Sequence, residues 1–279
     1  MGSWRIGKLF GIGVFVHWSF LLLPALVLLD PGMQAMADML GGRPILMLLV
    51  LVMFGCVVLH EFGHVLAARA LGIGTRDVTL YPIGGVARLE RMSEKPSEEV
   101  LIALAGPAVN VAIAILLGLG LLAALWIALP LNQFVARFFF YLMLLNVGMV
   151  LFNLIPAFPM DGGRVFRALL AMPLGRLQAT RIAAWLTTMI ALVGVVVGFT
   201  STDLNFLPIV AVFIFFAAQQ ELHAVEMQAR QRRAAEEPIL AKAIPVAEGW
   251  PVFTLKPAVT VYVWDNEAGV WVKQRSGQG

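Results

Sequence analysis

Charge is what this sequence has least of. Asp, Glu, Lys and Arg together make up 13% of its 279 residues, against about a quarter in an ordinary soluble domain. Hydrophobic residues reach 60%, so a water-soluble domain is excluded and an integral membrane protein is implied. Cysteine is nearly absent: the single Cys56 excludes an intrachain disulfide, and pairing therefore says nothing about redox compartment. The net charge is only +3 and comes mostly from loop Lys and Arg, which speaks to topology and gives no reason to expect a nucleic-acid partner. No long-period repeat or low-complexity tract occurs. A cleavable signal peptide is not expected either, because the apolar run behind Arg5 and Lys8 extends to Leu29 with no clean small-x-small site after it.

What is present is a series of apolar segments, at about 9–29, 44–70, 99–129, 134–156, 180–200 and 205–223. Each is near or above the roughly 20 residues that cross a bilayer. An open strand would leave backbone groups unpaired in lipid, so these segments are expected to be helices. The expected fold is an all-α integral membrane protein, a six-transmembrane-helix bundle. Lys and Arg cluster on one side of that arrangement: Arg5 and Lys8, then Arg69, Arg76, Arg88, Arg91 and Lys95, then Arg164, Arg167, Arg176 and Arg181, and finally Arg230, Arg232 and Arg233. Only Arg43 and Arg137 fall on the other side. The positive-inside rule then puts both termini in the cytosol, and Arg164 and Arg167 at the cytosolic interface.

Two regions break the helical pattern. Within about 77–91, Val78, Leu80, Val86 and Leu89 flank Pro82 and the pair Gly84-Gly85, which predicts a short β-ribbon or re-entrant insertion. The core is expected to span 1–223, followed by a short mixed cytosolic tail, 224–279. That tail begins with a charged helix and continues to a β-hairpin built from Val259–Trp264 and Val270–Val272.

His60-Glu61-Phe62-Gly63-His64 lies inside the second apolar segment. On a helix, residues four apart share a face, so both imidazoles can hold one metal ion, while Glu61 is offset by about 100° toward a water on that ion. The competing reading is a structural pair of buried histidines. It has the cost of ionisable groups at membrane depth against it. A catalytic zinc needs a third protein ligand and an open fourth position. Asp30, Asp38, Asp77 and Asp203 fall in loops or at segment ends. Asp161 instead follows the broken stretch Asn153-Leu-Ile-Pro-Ala-Phe-Pro-Met, with Gly162-Gly163 behind it. An acidic group on irregular backbone at membrane depth usually lines a polar cavity; it could also cap the helix that starts near Gly163.

The pairing of H-E-x-x-H with Asn153-x-x-Pro-x-x-Pro-x-Asp161-Gly-Gly-Arg164 resembles the site-2 protease family of intramembrane zinc metalloproteases. The Gly84-Gly85 segment, and Ala105-Gly106-Pro107 with Asn110, also look like that family. The likeness covers about 5–223. It implies one zinc ion on His60, His64 and Asp161, with Glu61 as the catalytic base and Asn153 beside the site. It implies a transmembrane protein substrate cut in the bilayer as part of regulated intramembrane proteolysis, a regulatory membrane protein as a further partner class, and a bacterial or archaeal plasma membrane. No cystathionine-synthase-type tail or PDZ insertion is recognisable. Oligomeric state has no signature in the sequence.

The predicted ribbon gives Gly84 and Gly85 a candidate role in binding an unwound substrate segment by strand addition. Two rival functions use the same residues: a metal-ion transporter, and an inactive relative that only binds membrane proteins. Glu61 separates them, since a transporter needs no general base there. Cys56, one turn before His60, reads as a small buried filler. His17 reads as a packed, hydrogen-bonded histidine, and His223 as interfacial. Asn110 and Asn146 read as polar joints between helices.

Overall fold

The computed structural model describes residues 2–81, 84–91, 93, 95–201, 207–236, 261–265 and 270–274. Pro82, Asp203, Val259 and the turn 266–269, singled out in the sequence, lie outside the described residues. Among the described residues, five helices are long and apolar enough to cross a membrane. They are α3 (Arg43–Ala70), α4 (Pro96–Trp126), α5 (Gln133–Asn153), α7 (Arg176–Thr200) and the membrane part of α8 (Leu207–Glu236). At 1.5 Å per residue, α4 is about 46 Å long and outruns the bilayer's hydrocarbon core. The shorter α6 (Asp161–Leu174) stands between α5 and α7 in the chain.

The segment 9–29, expected as a single span, is not one helix. Ser3–Leu9 and Ile12–His17 form strands β1 and β2. Phe10 and Gly11, both at positive φ, make the two-residue turn between them. Helical structure starts only afterwards, as α1 (Leu22–Leu29) and α2 (Gln34–Leu40), an apolar pair bent by 66°. Counted as one broken span, that pair would make a sixth. Ile12, Val14, Phe15 and Val16 are compatible with extended backbone, an apolar count cannot distinguish a strand from a helix, and pairing of β2 with β3 decides for the strand.

Strands β3 (Thr75–Tyr81) and β4 (Gly84–Leu89) complete a four-stranded sheet in the order β1-β2-β3-β4. β2 and β3 run parallel because α3 carries the chain across between them, whereas the outer pairs are antiparallel hairpins. The sheet packs on α3 through Val14 and Val78, which bury Phe62 and Val65. These two α3 residues lie between and beside the histidines, so the sheet is held against the very turn that carries the chemistry. The residues Met227–Gly279 form a separate compact unit, containing the end of α8 and an antiparallel pair, β5 (Val261–Asp265) and β6 (Val270–Gln274).

Small residues recur in the interior of the helical part, most of all along α7 and α8. Ala179, Ala183, Ala184, Ala191, Ala211 and Ala218 are buried, while Leu125, Trp126 and Phe199 face outward. Large apolar groups outside and small ones inside is the pattern of helices packed in lipid. Gly63 marks the closest approach: a Cβ there would lie 3.0 Å from the Ala105 carbonyl carbon, so α3 and α4 meet backbone to backbone.

Arg167 departs from its expected role as an interface anchor. It is fully buried, donates through Nε to Glu99 Oε1 of α4 at 2.9 Å, and pairs with Glu221 of α8. The guanidinium also lies over the Phe158 ring, 5.3 Å from its centroid. Burial works against its charge, but the two carboxylates outweigh that and hold its pKa above the usual arginine value. The triad therefore ties α6 to α4 and α8. Removing one partner of such a buried pair costs about 3–5 kcal/mol, because the other charge is left unpaired. Arg167→Met is expected to destabilise the chain by that amount in denaturant unfolding in micelles; a change below about 1 kcal/mol would contradict the triad's role.

Candidate metal centre

His60 and His64 are one turn apart on α3, with rings at 84° and centroids 4.8 Å apart. Asp161 is the first residue of α6. It reaches the same point from the opposite direction because the chain breaks after α5. Gly162 and Gly163 permit the approach: a Cβ on either would collide with backbone of residues 154–158. Thr187 of α7 steadies this stretch, accepting from Phe158 N at 3.0 Å and donating to Ala183 O at 2.8 Å. The N-terminus of α6 has no side-chain cap. Asp161 Oδ2 instead lies 3.2 Å from Nε2 of both histidines.

The three groups form a nearly equilateral triangle, closed by a His60 Nε2–His64 Nε2 distance of 3.1 Å. All three residues are buried. A tetrahedral zinc ion, with donors at about 2.0–2.2 Å, keeps them about 3.3 Å apart, close to these separations. The protonation pattern is also that of a metal site. His64 Nδ1 is 2.7 Å from the Ile102 carbonyl, which can only accept, so Nδ1 carries the proton and Nε2 is a lone pair. His60 Nδ1 is 2.6 Å from Asn110 Oδ1 and is fixed the same way. With each Nδ1 engaged, both Nε2 atoms and the Asp161 carboxylate are turned on one buried point, an arrangement that a cation satisfies. Among the described residues this is the one group of three or more His, Cys, Asp or Glu that could hold a metal ion.

The other acidic candidates are engaged elsewhere: Asp30 accepts from Gly32 N, Asp38 from Gln34, and Asp77 faces Arg88. Glu61 is half-buried on the adjoining face of α3. The ideal Cβ position of Gly85 in β4 falls 2.9 Å from Glu61 Cδ and 3.0 Å from Oε1, so this strand runs directly over the carboxylate. Gly84, at φ +140°, has open space around its Cβ position. Asn153 ends α5 and donates from Nδ2 to Met149 O at 3.0 Å. His17 pairs with Ser19 Oγ at 2.7 Å and stacks near Tyr81, outside the metal group. His223 is exposed on α8. Cys56 is buried in an apolar cluster with Leu49 and Leu142.

Three contributors were undervalued in the sequence. Asn110 is a joint between helices, as expected, but one that ends on His60 of the candidate metal group. Ile102 acts through its carbonyl, which no side-chain pattern reports. Gly106 lies under both imidazoles: a Cβ there would fall 2.8 Å from His60 Nε2 and closer still to His64 Nε2. The signal available for Asn110 and Gly106 was their position in an apolar helix, where a polar or very small residue needs a reason.

Comparison with known proteins gives the same direction. The model of peptidase family M50 matches residues 48–128 and 127–197. A zinc metalloprotease of Methanocaldococcus jannaschii is 35% identical over 226 residues, covering 81% of this chain and 62% of that protein. A protein of Synechocystis named as a zinc metalloprotease is 35% identical over 217 residues, covering 74% of this chain and 54% of its own. The chain thus spans less than two thirds of these relatives' length. Among solved structures, the site-2 protease from Methanocaldococcus jannaschii matches with a TM-score of 0.58 and 35% identity, over 79% of this chain and 95% of that one.

The crowding at Gly106 is directly testable. Gly106→Ala is expected to lower zinc occupancy of the purified protein at least about tenfold, read by metal analysis. Full occupancy in that variant would mean that the imidazoles are not held as described.

Proposed function

Because this chain belongs to peptidase family M50, the family of the site-2 proteases, we propose that it is an intramembrane zinc endopeptidase acting on transmembrane segments of other proteins. His60, His64 and Asp161 would hold the ion, Glu61 is the base, and Asn153 is the donor beside the site. The observation that carries this reading is the closed triangle of acceptors, with the Nδ1 atoms of both histidines already engaged by Asn110 and Ile102.

A bound zinc ion would supply a Lewis acid for the carbonyl oxygen and an acidified water. The chain's own groups do the rest. Glu61 takes the proton of the attacking water and returns it to the leaving amide nitrogen. Asn153 has two N–H donors, one of them held by Met149 O; the second would donate to the scissile carbonyl as charge develops on it. The centre has two neutral imidazoles and one carboxylate, so with a dication it keeps a net positive charge that favours an anionic nucleophile.

A transmembrane substrate hides its peptide bonds in its own helical hydrogen bonds and must unwind before it is cut. β4 is an edge strand, paired on one side by β3, and Gly85 of that strand lies against Glu61. Strand addition along β4 would deliver an extended segment to the base; Gly84 and Gly85 keep that edge free of side chains. The Lys and Arg distribution supports cytosolic N- and C-termini and entry of water from that side. The apolar pair α1–α2 would serve as the sixth, broken span, in a bacterial or archaeal plasma membrane.

Three experiments check the reading. In membranes holding a single-pass substrate, Glu61→Gln is expected to keep zinc and to reduce cleavage by about 10²–10⁴-fold. Removing zinc with a chelator should abolish cleavage, and adding it back should restore it. Substantial cleavage by Glu61→Gln, or metal transport with no cleavage by the unaltered chain, would sink the proposal. Gly84→Pro is expected to keep zinc and lose cleavage; normal cleavage would remove β4 from the mechanism.

A further inference from the structure

Behind His60 a chain of buried amides runs away from the centre. His60 Nδ1 meets Asn110 Oδ1 at 2.6 Å. Asn110 Nδ2 donates to Asn146 Oδ1 at 2.7 Å and lies 3.5 Å from Met149 Sδ. Asn146 Nδ2 donates to the Leu142 carbonyl at 2.8 Å and lies 3.6 Å from Cys56 Sγ. Both asparagines are fully buried. No water-exposed group can correct a wrong orientation here, so the direction of each amide has to be set from within.

The order of the chain is dictated from its far end. A backbone carbonyl only accepts, so the Asn146 atom facing Leu142 O must be the nitrogen. Its oxygen then faces Asn110, which must answer with nitrogen, and the oxygen of Asn110 is left for His60 Nδ1. That nitrogen must therefore be the protonated one, and Nε2 is free of a proton where it faces Asp161 and His64. If Asn110 turned over, its NH₂ would face Nδ1. The proton would move to Nε2, the atom pointed at the metal position.

We propose that Asn146 is a positioning residue for the metal centre: it touches no ligand, yet it fixes the direction of Asn110 and through it the tautomer of His60. The inference rests on the zinc reading of the site.

The test is a competition for zinc between a chelator and the 279-residue chain in bilayers. Asn146→Leu keeps the branched outline of the side chain but frees Asn110 to turn, and is expected to weaken zinc retention by about 10–100-fold. Adding Asn110→Asp to that variant is expected to recover retention to within about threefold, because a carboxylate accepts through either oxygen and has no wrong direction. Retention by Asn146→Leu within threefold of the unaltered chain overturns the proposal. So does a double variant as weak as the single one, since loss of packing alone would not be repaired at position 110. The unaltered chain supplies a reading that needs no variant to fold: in its zinc-loaded form, ¹⁵N spectra of labelled histidine should show the His60 proton on Nδ1, and a proton-free Nδ1 overturns the relay. An unaltered chain that retains no zinc would instead defeat the zinc reading itself.

Discussion

Three metal-ligating atoms gathered at one buried point, 3.1–3.2 Å apart, are the condition around which the rest of this molecule is arranged. Left alone they repel, and burial removes the solvent that would screen them. A dication turns the same arrangement into an attraction. Everything nearby serves to keep the three acceptors in that unfavourable proximity: two hydrogen-bonded Nδ1 atoms, a broken backbone that returns Asp161, and glycines where side chains would intrude.

Helix α4 is the element most of these constraints share. It presses its backbone against Gly63, lies beneath both imidazoles at Gly106, and supplies the Ile102 carbonyl and the Asn110 amide. One turn beyond, Glu99 holds Arg167, whose helix begins with Asp161. The two histidines and the carboxylate come from elements about a hundred residues apart in the chain, and both are referenced to the same long helix. Ligand geometry is thus set by contacts to a common rigid body.

The sheet relates to the centre differently. It packs on α3 through Phe62 and Val65, within the histidine turn itself, and leaves β4 as an edge above Glu61. Extended backbone is hard to sustain among apolar helices, and here only the two central strands, β2 and β3, are paired on both sides, which leaves β1 and β4 as edges. Of these, the β4 edge is the one that lies against Glu61, and on the proposed reading it would offer an unwound peptide the hydrogen bonds lost on leaving its own helix.

The sequence by itself determined the membrane class, the five long helices and the identity of the triangle's members. Those follow from local facts: apolar run length, the four-residue spacing of His60 and His64, and an aspartate placed on broken backbone. Tertiary structure decided the rest. Residues 9–17 open an apolar run, 9–29, long enough for a span, yet they pair as strands because β2 finds β3 alongside it, a partner some sixty residues away. Arg167 looks like an interfacial cation in one dimension, and only the meeting of α4, α6 and α8 surrounds it with carboxylates. Asn110 looks like a joint until His60 is brought onto its oxygen. In each case the deciding energy comes from a group distant in sequence, and hydropathy and spacing along the chain carry no record of it.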